Sequence, residues 1–157
     1  MNNSKPVSLP IAAHFKLDNS LSPKTKEEKD YMLNIPYSNA MGSLMYSMVS
    51  TRPDLSFAMS VLSRFMSNPG KSHWEAMKWF FRYIKGTTDI GLIYEKKKGT
   101  KLGLEGFVDF DYVGNKDNRK STTSYCFCIN GCCISWKTQL QPIMALSTTE
   151  AEYIGTT

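Results

Sequence analysis

Two pairs of acidic side chains have a spacing that could hold divalent cations. Asp109 and Asp111 lie two residues apart in an alternating apolar run, so a strand would direct both to one face. Glu150 and Glu152 lie in the first turns of a helix that Ser147 is expected to open. Carboxylates are preferred ligands of hard cations, and two Mg²⁺ ions could stabilise the attacking and leaving oxygens of a phosphodiester. The alternative is that these acids are solvated strand and helix-start residues, which are common.

A basic and aromatic helix is predicted earlier in the chain. Its cations are Lys78, Arg82 and Lys85, and they alternate with Trp79 and Phe80, which are expected to lie off the main apolar stripe. Such residues could bind nucleic acid by phosphate contact and base stacking. Packing of Trp79 and Phe80 against a protein domain that is absent from this chain is the favoured alternative, and it predicts an exposed apolar patch.

The cysteines and histidines carry weaker signals. Cys126, Cys128, Cys132 and Cys133 have C-x-C and C-C spacing, which is not the usual zinc pattern, and no histidine is close. Free thiols on strands are therefore favoured over zinc, and a disulfide framework is not expected. His73 follows a predicted helix cap and is expected at the surface, and no catalytic triad is visible.

Composition limits the class of protein. The chain has 157 residues, of which 41% are hydrophobic, and a net charge of +5. This is ordinary for one globular domain or two small ones, and the excess of positive charge favours a polyanionic partner. No apolar run is long enough to span a membrane, and the apolar stretch at residues 10–13 is too short for a signal peptide. An intracellular location, cytoplasmic or nuclear, is therefore expected.

The chain divides into four predicted segments: an extended lead-in (1–36), a helical segment (37–88), a connecting hairpin (89–99) and an α/β segment (100–157). A short helix is expected at 24–33 within the lead-in. Three helices follow, opened by Ser38, by Pro53 and by a capping box from Ser72 to Glu75. Each has a predicted apolar stripe: Met41, Leu44, Met45 and Met48 in the first, Leu55, Ala58, Met59, Leu62 and Phe65 in the second, and Trp74, Met77, Phe81 and Ile84 in the third.

The hydrophobic period changes to two from about residue 90. Residues 91–95 are predicted to form a strand before a turn at Lys96-Lys97-Lys98-Gly99, a lysine run that could contact phosphate. Asn130-Gly131 predicts a hairpin between two later strands. The final helix has only about eight residues, so a longer helix is expected in an intact domain.

Several motifs in a fixed order resemble the Pol polyprotein of copia-type LTR retrotransposons, from about Lys5 to the end of the chain. They include RPDLSFAMSVLSRFM, GFVDFDYVG, KSTTSY, ISWKTQLQ and ALSTTEAEY. The resemblance implies the tail of a reverse transcriptase followed by the first part of a ribonuclease H domain. The implied fold is α/β: a helical thumb-like or connection segment, then an incomplete ribonuclease H-like domain with three antiparallel strands and the start of its first helix.

The resemblance also implies a chemistry. Ribonuclease H cleaves the RNA of an RNA–DNA hybrid with Mg²⁺ held by four carboxylates, and reverse transcriptase copies RNA into DNA. Asp109 matches the first metal-binding Asp and Glu152 is the favoured match to the Glu, with Asp111 and Glu150 secondary. The implied partners are an RNA–DNA hybrid or other nucleic acid and the rest of Pol, with no membrane.

A basic turn and one departure from the family pattern complete the comparison. Arg119 and Lys120 match a turn expected to contact the nucleic-acid backbone, whereas Phe110 replaces a small residue and is expected to crowd the metal site. The third and fourth carboxylates and the Tyr-x-Asp-Asp box of the polymerase are absent from these 157 residues. The chain by itself is therefore expected to be inactive and to bind no Mg²⁺ productively. The alternative function is a co-opted nucleic-acid-binding or effector-type interaction protein.

Overall fold

The computed structural model describes residues 4–95 and 103–156, which belong to two compact units, Met1–Ile90 and Gly91–Thr157. The first unit is helical and the second is an antiparallel sheet with one helix. The predicted lysine turn lies outside the described residues. The elements are α1 (Lys26–Leu33), α2 (Tyr37–Thr51), α3 (Ser56–Ser63), α4 (Lys71–Gly86), β1 (Leu104–Asp111), β2 (Thr122–Ile129), β3 (Cys132–Leu140) and α5 (Thr148–Thr156). None of these described helices is long and apolar enough to cross a membrane.

The core of the first unit lies between α2, α3 and α4. The periodicity around α3 predicted its buried face correctly, since every residue of that stripe is buried: Leu55, Ala58, Met59, Leu62 and Phe65. Pro53 opens a 3-10 turn that leads into α3, as its fixed φ favours. The prediction for α2 is correct for Met41 and Leu44 but wrong for Met45, which is 43% exposed because the apolar face of α2 is narrower than its sequence pattern.

The inward face of α4 is rotated from the predicted one. Phe80, expected off the apolar stripe, is fully buried, while Trp74, Phe81 and Ile84 pack at the margin of the core. The tertiary contacts with α2 and α3 select this face, because several faces of α4 carry large apolar side chains.

His73 is the clearest correction in the first unit, because it is fully buried instead of exposed. Its ring stacks on Phe65 with centroids 3.9 Å apart, and its Nδ1 accepts a hydrogen bond from the Gly70 amide at 2.8 Å. The predicted cap from Ser72 to Glu75 is therefore wrong, because the N-cap of α4 is Gly70, two residues earlier, and His73 bonds to it from the first turn. Gly70 fits because a Cβ there would lie 1.9 Å from the carbonyl oxygen of Leu21.

The second unit contains a sheet of three antiparallel strands in the order β1-β2-β3. Asn130 and Gly131 join β2 to β3 with φ values of 52° and 80°, so the predicted hairpin is confirmed. Residues 91–95, in contrast, do not form the predicted strand. Within the described residues β1 pairs only with β2. Residues 91–95 instead contact the sheet through a hydrogen bond of 2.8 Å from the Tyr94 hydroxyl to the Cys133 carbonyl.

One irregularity interrupts the pairing of β2 with β3. Phe127 pairs with Ser135 but Cys128 pairs with Cys133, so Ile134 is an extra residue on β3. An extra residue of this kind shifts the alternation of side chains by one, so that residues of β3 before and after the bulge are out of step in the face they point to.

Candidate functional site

The helix α5 lies over β1 and β2 on one face of the sheet. Gln141 fixes this position: its side-chain amide donates to the Ala151 carbonyl at 2.8 Å and to the Thr123 hydroxyl at 2.9 Å. A Cβ built on Gly155 would lie 3.3 Å from the Thr123 hydroxyl oxygen and 3.7 Å from the ring of Phe110. Phe110 and Thr123, which pair across the strands, therefore face α5.

Asp109 lies on the opposite face, since neighbouring side chains of a strand alternate. Its partner in the register is Ser124, whose hydroxyl lies 3.0 Å from that of Thr138. Asp109 is exposed and has no hydrogen bond or ion pair within the described residues. The ring of Phe110 packs toward α5, on the face of the sheet opposite to Asp109, so it does not crowd that carboxylate.

Asp111 has a structural task. Its carboxylate accepts a hydrogen bond from the Thr122 amide at 2.5 Å, where β1 ends and β2 begins. The same carboxylate lies directly over Gly114, because a Cβ there would lie 1.7 Å from Asp111 Oδ2. Asp111 therefore closes the turn between the strands.

Glu150 also has a structural task, whereas Glu152 does not. The Glu150 amide donates to the Ser147 hydroxyl at 3.1 Å, and the Glu150 carboxylate accepts from the Leu146 amide at 2.7 Å. This is the predicted cap, with the carboxylate reaching one residue further back than in the usual capping box. Glu152 is exposed, and within the described part of the chain no group bonds to it.

These placements bear on the magnesium expected from the sequence. Within residues 4–95 and 103–156, no three acidic side chains come within reach of one ion. Of the four candidate acids, Asp109 and Glu152 are the ones that are exposed without partners, but Asp109 lies on the face of the sheet away from α5. The described residues alone do not fit a two-metal centre, so no catalytic step is derived from them.

The basic side chains of α4 contact the protein's own lead-in. Arg82 Nε donates to the carbonyl of Lys5 at 2.7 Å, and Lys85 Nζ donates to the carbonyl of Ser4 at 3.0 Å. Lys78 forms an exposed ion pair of 2.7 Å with Glu75. Each predicted nucleic-acid cation of α4 therefore has a protein partner.

Trp79 is covered by the same segment. Its indole nitrogen donates to the carbonyl of Leu9 at 3.0 Å. The rings of His14 and Phe15 form T-shaped contacts with the Trp79 ring, with ring centroids 5.4 and 5.8 Å from its own. The guanidinium of Arg82 lies 4.9 Å from the Trp79 ring centroid. From the sequence, the expected partner of this surface is either nucleic-acid bases or an absent protein domain. In the structure, the lead-in covers it.

The turn between β1 and β2 presents two basic side chains to solvent, Lys116 and Arg119. Lys120 Nζ donates to the Pro142 carbonyl at 2.6 Å. Arg119 is exposed, has φ of 56°, and bonds to nothing among the described residues.

A group of thiols was missed as a site by sequence reasoning. Cys126 Sγ lies 3.0 Å from Cys133 Sγ and 3.8 Å from Cys128 Sγ, and all three sulfurs lie within 4.8 Å of one another. Burial, followed by the hydrogen bond to Cys133, raises the pKa of Cys126 above its ordinary value. No sequence signal could have identified this group of thiols. Regular alternation would place Cys132 on the face of Cys126 and Cys128, and the bulge at Ile134 places Cys133 there instead.

The chain matches Pol polyproteins of transposons along almost its whole length, and it belongs to the family of retrovirus-related Pol polyproteins. The resemblance seen in the sequence motifs is thus confirmed. One relative is the "Retrovirus-related Pol polyprotein from transposon TNT 1-94" of Nicotiana tabacum, 54% identical over 157 residues, which are all of this chain and 12% of the relative. The corresponding protein from transposon RE2 of Arabidopsis thaliana is 37% identical over 98% of this chain and 10% of its own length.

A relative of a different kind has a length closer to that of this chain. The "Secreted RxLR effector protein 161" of Plasmopara viticola is 45% identical over 124 residues, which are 79% of this chain and 86% of that protein. The chain spans only about a tenth of the length of the Pol relatives. No family model and no solved structure matches the chain.

Proposed function

We propose that the chain is the stretch of a transposon Pol polyprotein in which a reverse transcriptase ends and a ribonuclease H-like domain begins. One observation carries the proposal: a helical unit ends at Ile90, and a three-stranded antiparallel sheet with Asp109 on its first strand follows. The next helix, α5, carries Glu152. An Asp on the first strand and a Glu on the first helix form the order that the family resemblance implies.

The exposed acids are the proposed contribution of this chain to hybrid cleavage. Asp109 would provide a ligand to Mg²⁺, which would supply charge stabilisation at the phosphodiester oxygens. Glu152 is the second ligand that the family order implies, although α5 holds it on the face of the sheet opposite to Asp109 in this structure. Asp111 and Glu150 would act by shaping the β1–β2 turn and the start of α5, because their carboxylates are used there. Two carboxylates are too few for a two-metal centre, so the isolated 157-residue polypeptide is proposed to be inactive.

The test is a chimaera of the tobacco relative, because its sequence aligns with all 157 residues of this chain. The matching segment of that protein is replaced by this chain, and cleavage of labelled RNA in an RNA–DNA hybrid is measured with Mg²⁺ beside the unmodified relative. The chimaera is expected to cleave and Asp109→Asn to abolish cleavage. Glu105→Gln is the matched control, since Glu105 is exposed on the same face of the same strand.

Two results would contradict this function. Full cleavage by the Asp109→Asn chimaera would remove Asp109 from the metal site. Cleavage by the isolated chain that is lost on Asp109→Asn would show that the 157 residues are sufficient by themselves.

Arg119 is the proposed phosphate contact in the second unit, because the family resemblance implies it and its side chain is exposed without a partner among the described residues, whereas Lys120 is bonded to the Pro142 carbonyl. Arg119→Gln is expected to reduce the slope of log affinity against log salt by about one for an RNA–DNA hybrid. Arg82→Gln is the comparison, since Arg82 is held by the lead-in and is expected to change the slope less. Equal slopes for Arg119→Gln and the parent chain would exclude the contact.

A second candidate function is an effector-type interaction protein. The match to 86% of a protein named as a secreted effector favours it. Recovery of a tagged chain from the medium of its source cells would support this function, and complete retention inside the cells would contradict it.

A further inference from the structure

We infer that Cys126, Cys128 and Cys133 form a three-thiolate site for a soft metal ion, best matched to Cu(I). This site lies outside the proposed ribonuclease H chemistry and uses none of its residues. All three thiols are half-buried and none is in a disulfide.

The sheet itself brings the thiols together. Cys126 and Cys128 are two residues apart on β2, so their side chains share a face, and Cys133 pairs with Cys128 across the strands. If the pairing of Phe127 with Ser135 continued without a bulge, Cys128 would pair with Ile134 and Cys133 would face the other side of the sheet. Because of the bulge, Cys133 lies on the same face of the sheet as Cys126 and Cys128, whereas Cys132 lies on the other face.

The distances between the sulfurs suit a small ion. A trigonal ion at about 2.3 Å from each sulfur needs sulfurs roughly 4 Å apart. The Cys126–Cys128 separation of 3.8 Å already fits, and the Cys126–Cys133 separation of 3.0 Å must open by about 1 Å, which side-chain rotation can supply.

The number of ligands favours Cu(I) over zinc. Thiolates select soft ions, and structural zinc is almost always four-coordinate. Within the described residues no fourth Cys, His, Asp or Glu joins the group. Phe107 and Trp136 both pair with Cys126 and share its face, so large apolar side chains border the site and compete with a water ligand.

The test is a titration of the full, reduced chain under anaerobic conditions, after four free thiols have been counted. Cu(I) is supplied as its acetonitrile complex in competition with bicinchoninate. One Cu(I) per chain is expected, with three sulfur neighbours in the X-ray absorption spectrum of the copper. Cys126→Ser and Cys133→Ser are each expected to lower the affinity by at least about tenfold, since even outer-shell changes cost that much.

Cys132→Ser is the matched control, because Cys132 lies beside Cys133 but outside the group, and it is expected to leave the affinity unchanged. An equal loss in Cys132→Ser and Cys133→Ser would overturn the site, as would no retention of Cu(I) against bicinchoninate. A parallel Zn²⁺ titration that gives one bound ion where Cu(I) gives none would overturn the choice of copper. The absorption spectrum of the parent chain decides the ligand number even if a variant unfolds.

Discussion

Removal of the Asp54 carboxylate is expected to destabilise the helical unit strongly. Arg52, whose side chain is only 8% exposed, donates to both oxygens of Asp54 at 2.9 and 2.7 Å. The same guanidinium donates to the Thr87 carbonyl at 2.9 Å, and the Tyr83 hydroxyl donates to Asp54 at 2.8 Å. The network thus joins the start of α3 to the end of α4, across at least 29 residues of chain.

The magnitude follows from the burial of Arg52. In Asp54→Ala the guanidinium stays buried without its counter-charge, and breaking a buried pair in this way costs about 3–5 kcal/mol. Asp54 is 29% exposed, so water can replace part of the lost interaction, and about 3 kcal/mol is expected. If the free energy of unfolding falls by about 1–3 kcal/mol for each molar increase in urea, the urea concentration at the unfolding midpoint would drop by roughly 1–3 M.

The assay is urea unfolding followed by tryptophan fluorescence in a Trp136→Phe background. Trp74 and Trp79 then report the helical unit alone, because Trp136 belongs to the second unit. The control is Glu75→Ala, which removes an ion pair of equal length, 2.7 Å, between exposed side chains. This control is expected to cost less than about 1 kcal/mol.

Equal losses in Asp54→Ala and Glu75→Ala would refute the reasoning, since burial would then make no difference. The double variant Arg52→Met/Asp54→Leu supplies a further check. It removes both charges at once and is expected to be clearly more stable than Asp54→Ala.

Three further predictions concern acid stability and local contacts. Burial alone would raise the pKa of Asp54, but hydrogen bonds from Arg52 and Tyr83 lower it below its ordinary value. The resulting stabilisation is fully present above the unfolded pKa of about 4 and is lost as pH falls through the lower folded value. The urea midpoint should therefore drop between about pH 5 and pH 2, and less so in Asp54→Asn. Gly70→Ala should cost about 2 kcal/mol or more in urea unfolding, because its Cβ would strike the backbone, whereas Gly42→Ala meets no atom and should stabilise by about 0.5–1 kcal/mol. Asp111→Ala should lower the thermal midpoint of the second unit by the equivalent of about 1–3 kcal/mol, while Asp109→Ala should leave it nearly unchanged.

Local sequence signals predicted the elements well. The stripe from Leu55 to Phe65 identified the buried face of α3, and Asn130-Gly131 identified the hairpin, because both signals depend only on neighbouring residues. The Ser147 cap of α5 was visible for the same reason. Residues 91–95 show the limit of this approach, since an alternating pattern makes a strand only where another strand is present to pair with it.

The four acids of the candidate site were all found from the sequence, and the family resemblance already ranked Asp109 and Glu152 above Asp111 and Glu150. Residue type and spacing could not show that Asp111 and Glu150 bond to backbone amides while Asp109 and Glu152 are exposed. This difference depends on which backbone groups each carboxylate meets after folding.

The sequence by itself determined the family, the helical and sheet segments and the set of chemically capable residues. The tertiary structure alone decided that His73 is buried, that the lead-in covers Trp79 and that Cys133 joins two other thiols. The physical reason is distance along the chain: Leu9 and Trp79 are 70 residues apart, and His73 meets the Asp18 carbonyl across 55. Contacts of this range, and a bulge of one residue, depend on how whole elements pack and leave no periodic signal in the sequence.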